Sequence, residues 1–144
     1  MAKRGKIQQQ LNRYSDAVNR RDWKAFASLY AEDAIWEGTG ELAMRFEGRD
    51  AITQGFAGII GAMSMFVQMN APGVIEVRGD RASARSTIHE LGDVPADGTR
   101  FELYGRYEDE LVRRHGEWLF QHRRFVPGTR QITPIPKNDW AFEP

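Results

Sequence analysis

Few side chains in this sequence have the type and setting to move a proton. Cysteine is absent, which excludes thiolate chemistry and a disulfide framework. The three histidines, His89, His115 and His122, are not spaced as a helical pair. No metal-ligand spacing is present, and neither a metal nor a cofactor is expected. That leaves carboxylates drawn away from water, with hydrogen-bond donors beside them. The segment RYSDAVNRRDW, residues 13–23, presents Tyr14 and then Asn19 along a helix. It makes a candidate pocket wall that offers a hydroxyl and an amide but no base.

Strand parity locates a base elsewhere. In RASARSTIHEL, Ala82, Ala84, Ser86, Ile88 and Glu90 share one face, against Arg85, Thr87 and His89 on the other. The first set is small and mostly apolar, so it is predicted to face inward and to take Glu90 with it. In FELYGRYEDEL the inward set is Phe101, Leu103, Gly105, Tyr107, Asp109 and Leu111. That puts Tyr107 in the pocket and Asp109 at its rim. A carboxylate in an apolar setting is costly unless it is paired or protonated. Glu90 therefore has three readings: a structural ion pair with Arg123, a general base or acid with Tyr14 or Tyr107 polarising a carbonyl, or a side chain that reaches solvent. Trp36, Phe56, Met63, Met65 and Phe125 would line the remainder, which suits a flat apolar ring. For any single one of them, ordinary core packing is the simpler account.

The elements that must position these groups follow from periodicity. Ile7, Leu11, Tyr14, Ala17 and Val18 are helically spaced over residues 6–20. Asp22 is placed to cap a short second helix, WKAFASLY. AEDAIWEG and LAMRFEG read as short strands, and GRDAITQGFAGIIGAM as a third helix beginning at Gly48 or capped by Asp50. Residues 64–127 change to four long strands, SMFVQMNAPGVIEVRGD, RASARSTIHELG, FELYGRYEDELVRR and GEWLFQHRRFV, divided by the turn signals RGDR, DVPADGTR and RHGE. In the last strand Trp118, Phe120, His122 and Arg124 oppose Leu119, Gln121, Arg123 and Phe125. Alternation alone does not choose between these faces, and a bulge would reverse either choice. Residues 128–144 are expected to form an irregular tail. The whole is an α+β chain of one domain, residues 1–144.

YSDAVNRRDWKAFASLYAEDAIWEG, GRDAI, IEVRGDRASARS and GRYEDELVRRHGEW together resemble the SnoaL-like branch of the NTF2-like superfamily, over residues 7–127. That superfamily includes steroid Δ5-3-ketoisomerase, scytalone dehydratase and hexachlorocyclohexane dehydrochlorinase. The tail TPIPKNDWAFEP resembles that of the dehydrochlorinase. The resemblance implies a cone: three N-terminal helices packed against a strongly curved, mostly antiparallel sheet that encloses a pocket. It also implies an aspartate–histidine dyad in the dehydratases and the dehydrochlorinase, and those positions fall here on Asn19 and Gln68. Both are amides, which cannot take a proton at neutral pH. They would orient a substrate instead. The ketoisomerase's oxyanion tyrosine falls on Tyr14 and its catalytic aspartate on Gly38, with Glu37 adjacent but facing the other way; its second acid falls near Glu108. The dehydrochlorinase resemblance turns the Arg123 and Phe125 face of the last strand inward. It further implies a homodimer or homotrimer paired through the outer sheet face, where Trp118 and Phe120 would be covered.

Twenty basic residues balance twenty acidic ones, so charge gives no reason to expect a nucleic-acid or membrane partner. The start of the chain lacks an apolar signal-peptide core and no run reaches membrane-spanning length, so a cytoplasmic location is expected. The expected activity is that of a cofactor-independent lyase or isomerase that abstracts a proton from a small cyclic apolar substrate. Glu90 would be the base, with Tyr14 and Tyr107 as donors. Asn19, Trp36, Phe56, Met63, Gln68, Ile88, Arg123 and Phe125 would surround the substrate. The competing readings are a non-catalytic small-molecule binding protein and an assembly subunit resembling the β subunit of ring-hydroxylating dioxygenases.

Overall fold

A computed structural model describes residues 2–137. Helix α1 (Lys3–Arg20) buries Ile7, Leu11, Tyr14 and Val18 along one stripe. It ends where Arg21 turns left-handed (φ 55°) and returns its N–H to Ala17 and Val18. The Asp22 carboxylate then accepts the Ala25 N–H and starts α2 (Trp23–Ser28), as its position predicts. Strand β1 (Tyr30–Gly38), a 3-10 turn (Gly40–Leu42) and strand β2 (Arg45–Glu47) lead to α3 (Arg49–Gly61), which begins at Gly48. Five strands follow: β3 (Met65–Asn70), β4 (Val74–Arg78), β5 (Arg81–Val94), β6 (Thr99–Arg114) and β7 (Glu117–Pro134). The sheet runs β2-β1-β7-β6-β5-β3, with β4 also on β5. Among the described residues only the β1–β7 pair is parallel.

Three features differ from the sequence expectation. The segment expected as one strand from residue 64 is two, broken at 71–73. Pro72 has no N–H for a ladder bond there. β3 and β4 therefore pair with successive stretches of β5, Ile88–Asp93 and Arg81–Arg85. The break also lets α1 lie close across the sheet: a Cβ at Gly73 would meet Leu11 Cδ1 at 2.9 Å. Second, β7 continues to Pro134, paired to β6 as far as Thr99, so residues 128–134 are strand and not irregular tail. Residues 138–144 lie outside the described residues. Third, β7 carries a bulge. Phe120 pairs with Leu111 and His122 with Glu110, which leaves Gln121 extra.

The bulge changes which face points inward. Before it, Trp118 and Phe120 are buried; after it, Arg123 and Phe125 are. Neither alternation expected for this strand holds along its length. Leu119 is only half-buried, and the Gln121 amide bonds Asp33 on the outer side. Trp118 and Phe120 are core residues, so they cannot form an apolar outer face for a second copy. Phe120 instead joins Tyr14, Phe26 and Tyr30 in an aromatic cluster with centroids 5.3–6.3 Å apart. Each such ring contributes roughly 2–3 kcal/mol by leaving water.

Candidate functional site

The inner sheet face and the helices enclose a cavity of about 330 Å³. Its walls are mostly apolar: Val18, Trp36, Phe56, Ile60, Met63, Phe66, Phe101 and Phe125 all contribute. Gln68, Glu90 and Tyr107 are its inner polar groups, while the exposed Asp97 and Arg130 mark where it meets solvent. Seven of the side chains expected at a site are thus brought to one cavity: Glu90, Tyr107, Gln68, Trp36, Phe56, Met63 and Phe125.

Glu90 owes its setting to the edge of the sheet. Gln68 on β3 lies opposite Glu90 on β5. The Gln68 main chain does not bond to Glu90 but turns outward to the Asn19 side chain. Asn19 Nδ2 donates to Gln68 O at 2.9 Å, and Gln68 N donates to Asn19 Oδ1 at 2.7 Å. Gln68 and Glu90 are therefore a non-hydrogen-bonded pair, the kind whose side chains approach most closely. Gln68 Nε2 donates to Glu90 Oε1 at 2.9 Å, and Gln68 Oε1 accepts from Ser15 Oγ at 3.0 Å. Burial pushes the Glu90 carboxyl up to about 7, against the opposing effects of the Gln68 hydrogen bond and the His89 charge.

Behind the cavity lies a second cluster. The Tyr107 hydroxyl accepts from Trp36 Nε1 at 3.2 Å and is 3.1 Å from the Tyr14 hydroxyl. Burial raises both phenols above their usual range, Tyr107 the more strongly, so both stay protonated at neutral pH. An indole N–H can only donate. When Tyr14 donates as well, the Tyr107 oxygen is filled by two donors and its own proton is free to point into the cavity. Beneath the two rings lies Arg123, whose guanidinium carbon is 3.6 Å from the Tyr107 centroid and 4.2 Å from that of Tyr14. Asp109 binds it through two hydrogen bonds of 2.7 and 2.9 Å, and neither side chain is exposed. Burial works against the Arg123 charge, but Asp109 and the tyrosines outweigh it and hold the guanidinium protonated. Burial likewise lifts Asp109, against the pull of Arg123.

Several expectations are corrected by this arrangement. Arg123 is inward, but its partner is Asp109 and not Glu90. Asp109 is buried in the core (3 % exposed), not at a rim. The Asn19 amide is engaged by the Gln68 main chain and is not directed at the cavity. Ile88 is fully buried and Tyr14 stands behind Tyr107; neither lines the cavity. Met65 is buried away from it as well. Ser15, which fixes the far end of the Gln68 amide, was not singled out by sequence reasoning. Its signal was its place four residues before Asn19, on the same helix face.

His89 faces outward, as parity predicts, and so does His122, as the inward turn of its neighbour Arg123 requires. His89 bonds Glu102 at 3.1 Å and stacks on Tyr104, and His122 bonds Glu37 at 2.9 Å. A second depression of about 340 Å³ lies on that outer face, with Glu37, Glu76, Arg85, Glu108, His122 and Arg124 around it. Its charges are solvated or paired, so it lacks a base held in an apolar setting. The inner cavity has the stronger chemistry.

A family model for the SnoaL-like domain matches residues 1–124. No curated protein matches the chain significantly. Among solved structures, a provisionally assigned scytalone dehydratase from Novosphingobium aromaticivorans superposes with a TM-score of 0.79 at 22% identity, covering 94% of each chain. Hexachlorocyclohexane dehydrochlorinase LinA-type3 from Novosphingobium barchaimii superposes with a TM-score of 0.79 at 19% identity, covering 96% of this chain and 93% of its own. At such identities the likeness is one of fold: three helices on a bent, mostly antiparallel open sheet, the NTF2-like cone.

Proposed function

The chain belongs to the SnoaL-like domain family, and from that premise we propose that it is a cofactor-independent lyase or isomerase for a small, cyclic, largely apolar substrate. Glu90 is the base and Tyr107 the principal donor. The observation that carries this reading is a carboxylate on the wall of an apolar cavity, hydrogen-bonded there by one neutral amide. A carboxyl pushed to about 7 is half ionised near neutrality, which suits a group that must both take and return a proton.

The chemistry follows from the groups. A ring carbonyl accepts the Tyr107 proton as a hydrogen bond. Glu90 Oε2, free of the Gln68 contact, takes a proton from the adjacent carbon. The C–H electrons move toward the carbonyl oxygen, where Tyr107, backed by Trp36 and Tyr14, stabilises the developing charge. Return of the proton to another carbon makes the reaction an isomerisation. Loss of a leaving group on the neighbouring carbon makes it an elimination. Val18, Trp36, Phe56 and Phe125 exclude water and set the ring plane.

The test is turnover in deuterated buffer, followed by NMR, over cyclic enones, hydroxyketones, phenolic ketones and halogenated rings. Product formation or ring-proton exchange is expected, and Glu90→Gln should reduce it by about 10²-fold or more with ligand affinity kept. Undiminished turnover in Glu90→Gln would remove Glu90 from the mechanism. A second reading is favoured by the amides at positions 19 and 68: a protein that holds such a ring without converting it. Line broadening of a ring compound with no exchange in any of the panel would support that one.

A further inference from the structure

The Gln68 amide sits between two groups of different character. One end bonds a titratable carboxylate, Glu90; the other bonds Ser15, a hydroxyl that can donate or accept. Asn19 holds the Gln68 main chain at both its N–H and its C=O, so the backbone is fixed while the terminal amide remains free to turn. Ser15 and Asn19 stand four apart on α1, so one helix face supplies both contacts.

These constraints define two complete hydrogen-bond arrangements. With Glu90 ionised, the Gln68 NH2 donates to it and Ser15 donates to the Gln68 oxygen, as observed. With Glu90 protonated, its O–H donates to the Gln68 oxygen, and the amide, turned half a revolution, donates to Ser15 Oγ. The Gln68 amide keeps one hydrogen bond to Glu90 and one to Ser15 in both. We infer that Gln68 is a proton-coupled amide switch, turning between Glu90 and Ser15 as Glu90 gains and loses its proton, and that Ser15 is the positioning residue that satisfies both states. The proton stays on Glu90 throughout; the amide does not carry it. This role rests on Glu90 as the base of the proposed reaction, but the switch itself needs no substrate.

Among the described residues, the other titratable groups facing Glu90 are few. Tyr14 comes from α1 and Tyr107 from β6, both neutral near pH 7. β3 presents none, since its cavity-facing residues are Phe66 and Gln68 itself. His89 on β5 points to the opposite face, tied to Glu102. Asp97 and Arg130 stand where the cavity meets solvent. None competes for the amide.

The experiment is NMR of the intact protein from about pH 5 to about pH 9, spanning the ordinary and perturbed ranges of a carboxyl. The Glu90 carboxyl is read by its carbon shift and the Gln68 side-chain amide through its protons, assigned by their loss in Gln68→Met. The amide protons are expected to show close contacts to the Glu90 side chain above the carboxyl midpoint and to the Ser15 side chain below it. Contacts that stay on Glu90 throughout the titration would overturn the switch. A second measurement separates it from a fixed donor. Ser15→Ala leaves an unpaired carbonyl when Glu90 is ionised and an unpaired N–H when it is neutral. An orphaned N–H is tolerated less well. A switching amide therefore predicts a lower Glu90 midpoint in Ser15→Ala, restored by Ser15→Thr. A fixed amide, losing the hydroxyl that polarises it, predicts a higher one, and that result would overturn the proposal. Because no turnover is measured, loss of the enzymatic reading and loss of the switch are distinguishable.

Discussion

Two carboxylates, Asp109 and Glu90, are drawn inside the same cone, on neighbouring strands, and are treated oppositely. Asp109 is met by a guanidinium with two parallel hydrogen bonds, and three aromatic rings cover the pair. Glu90 is met by a neutral amide through one hydrogen bond and borders a cavity. Burial raises both carboxyls; at Asp109 it is opposed first by the Arg123 charge in direct contact, at Glu90 first by the neutral Gln68 hydrogen bond. The first arrangement fixes charge; the second leaves it adjustable. A fold can thus hold one acid as part of its frame and another as a titrating group, and the partner each acid meets sets the two apart.

The contrast can be broken from either side. The largest effect is expected at the ion pair. Arg123→Met strands a buried carboxylate and should cost about 3–5 kcal/mol in urea unfolding. The double variant Asp109→Leu, Arg123→Met should recover most of that loss; failure to recover it would mean that the pair does more than satisfy itself. A somewhat smaller effect lies in the pH dependence of stability. Glu90 binds its proton more tightly folded than unfolded, so the protonated form favours the native state. Stability should therefore fall as pH rises from the ordinary glutamate value of 4.5 to about 7, and level off above it. The total is on the order of 3 kcal/mol, and Glu90→Gln should abolish the slope. A profile that is the same in both proteins would contradict the burial of that charge. Tyr107→Phe leaves Trp36 Nε1 without its acceptor and should cost about 1–3 kcal/mol by thermal unfolding. The smallest effect is expected at Asn19→Ala, about 1–2 kcal/mol for two neutral hydrogen bonds at the sheet edge, with an upward shift of the Glu90 midpoint as Gln68 loosens.

The helices were legible because their signals are local. The stripe from Ile7 to Val18, the Asp22 cap and the Gly48 start each act within one or two turns. Glu90 and Tyr107 were legible because β5 and β6 alternate without interruption across that stretch. Strand β7 was not, because one extra residue at Gln121 reverses the alternation, and no residue type marks it. For the same reason Trp118 and Phe120 looked like outer-face residues although they are core. The pairing of Arg123 was missed because two inward acids on neighbouring strands compete for it. Register decides that competition: Asp109 lies opposite Arg123 on β6, whereas Glu90 is a strand further away and meets Gln68. Ser15 escaped notice because its spacing to Asn19 marks a shared helix face but not the strand which that face will meet.

The Asn19 clamp has a meaning beyond the pocket. β3 is the last strand of the sheet, and an unpaired strand edge is a template on which another chain can add. Asn19 occupies the free donor and acceptor at Gln68, in the middle of that edge and one residue from the exposed Met69. Guarding against self-association and aligning Gln68 toward Glu90 are thus the work of one side chain. A substitution that relaxes the pocket through Asn19 opens the edge at the same time, so drift toward a new substrate by that route carries an aggregation hazard with it.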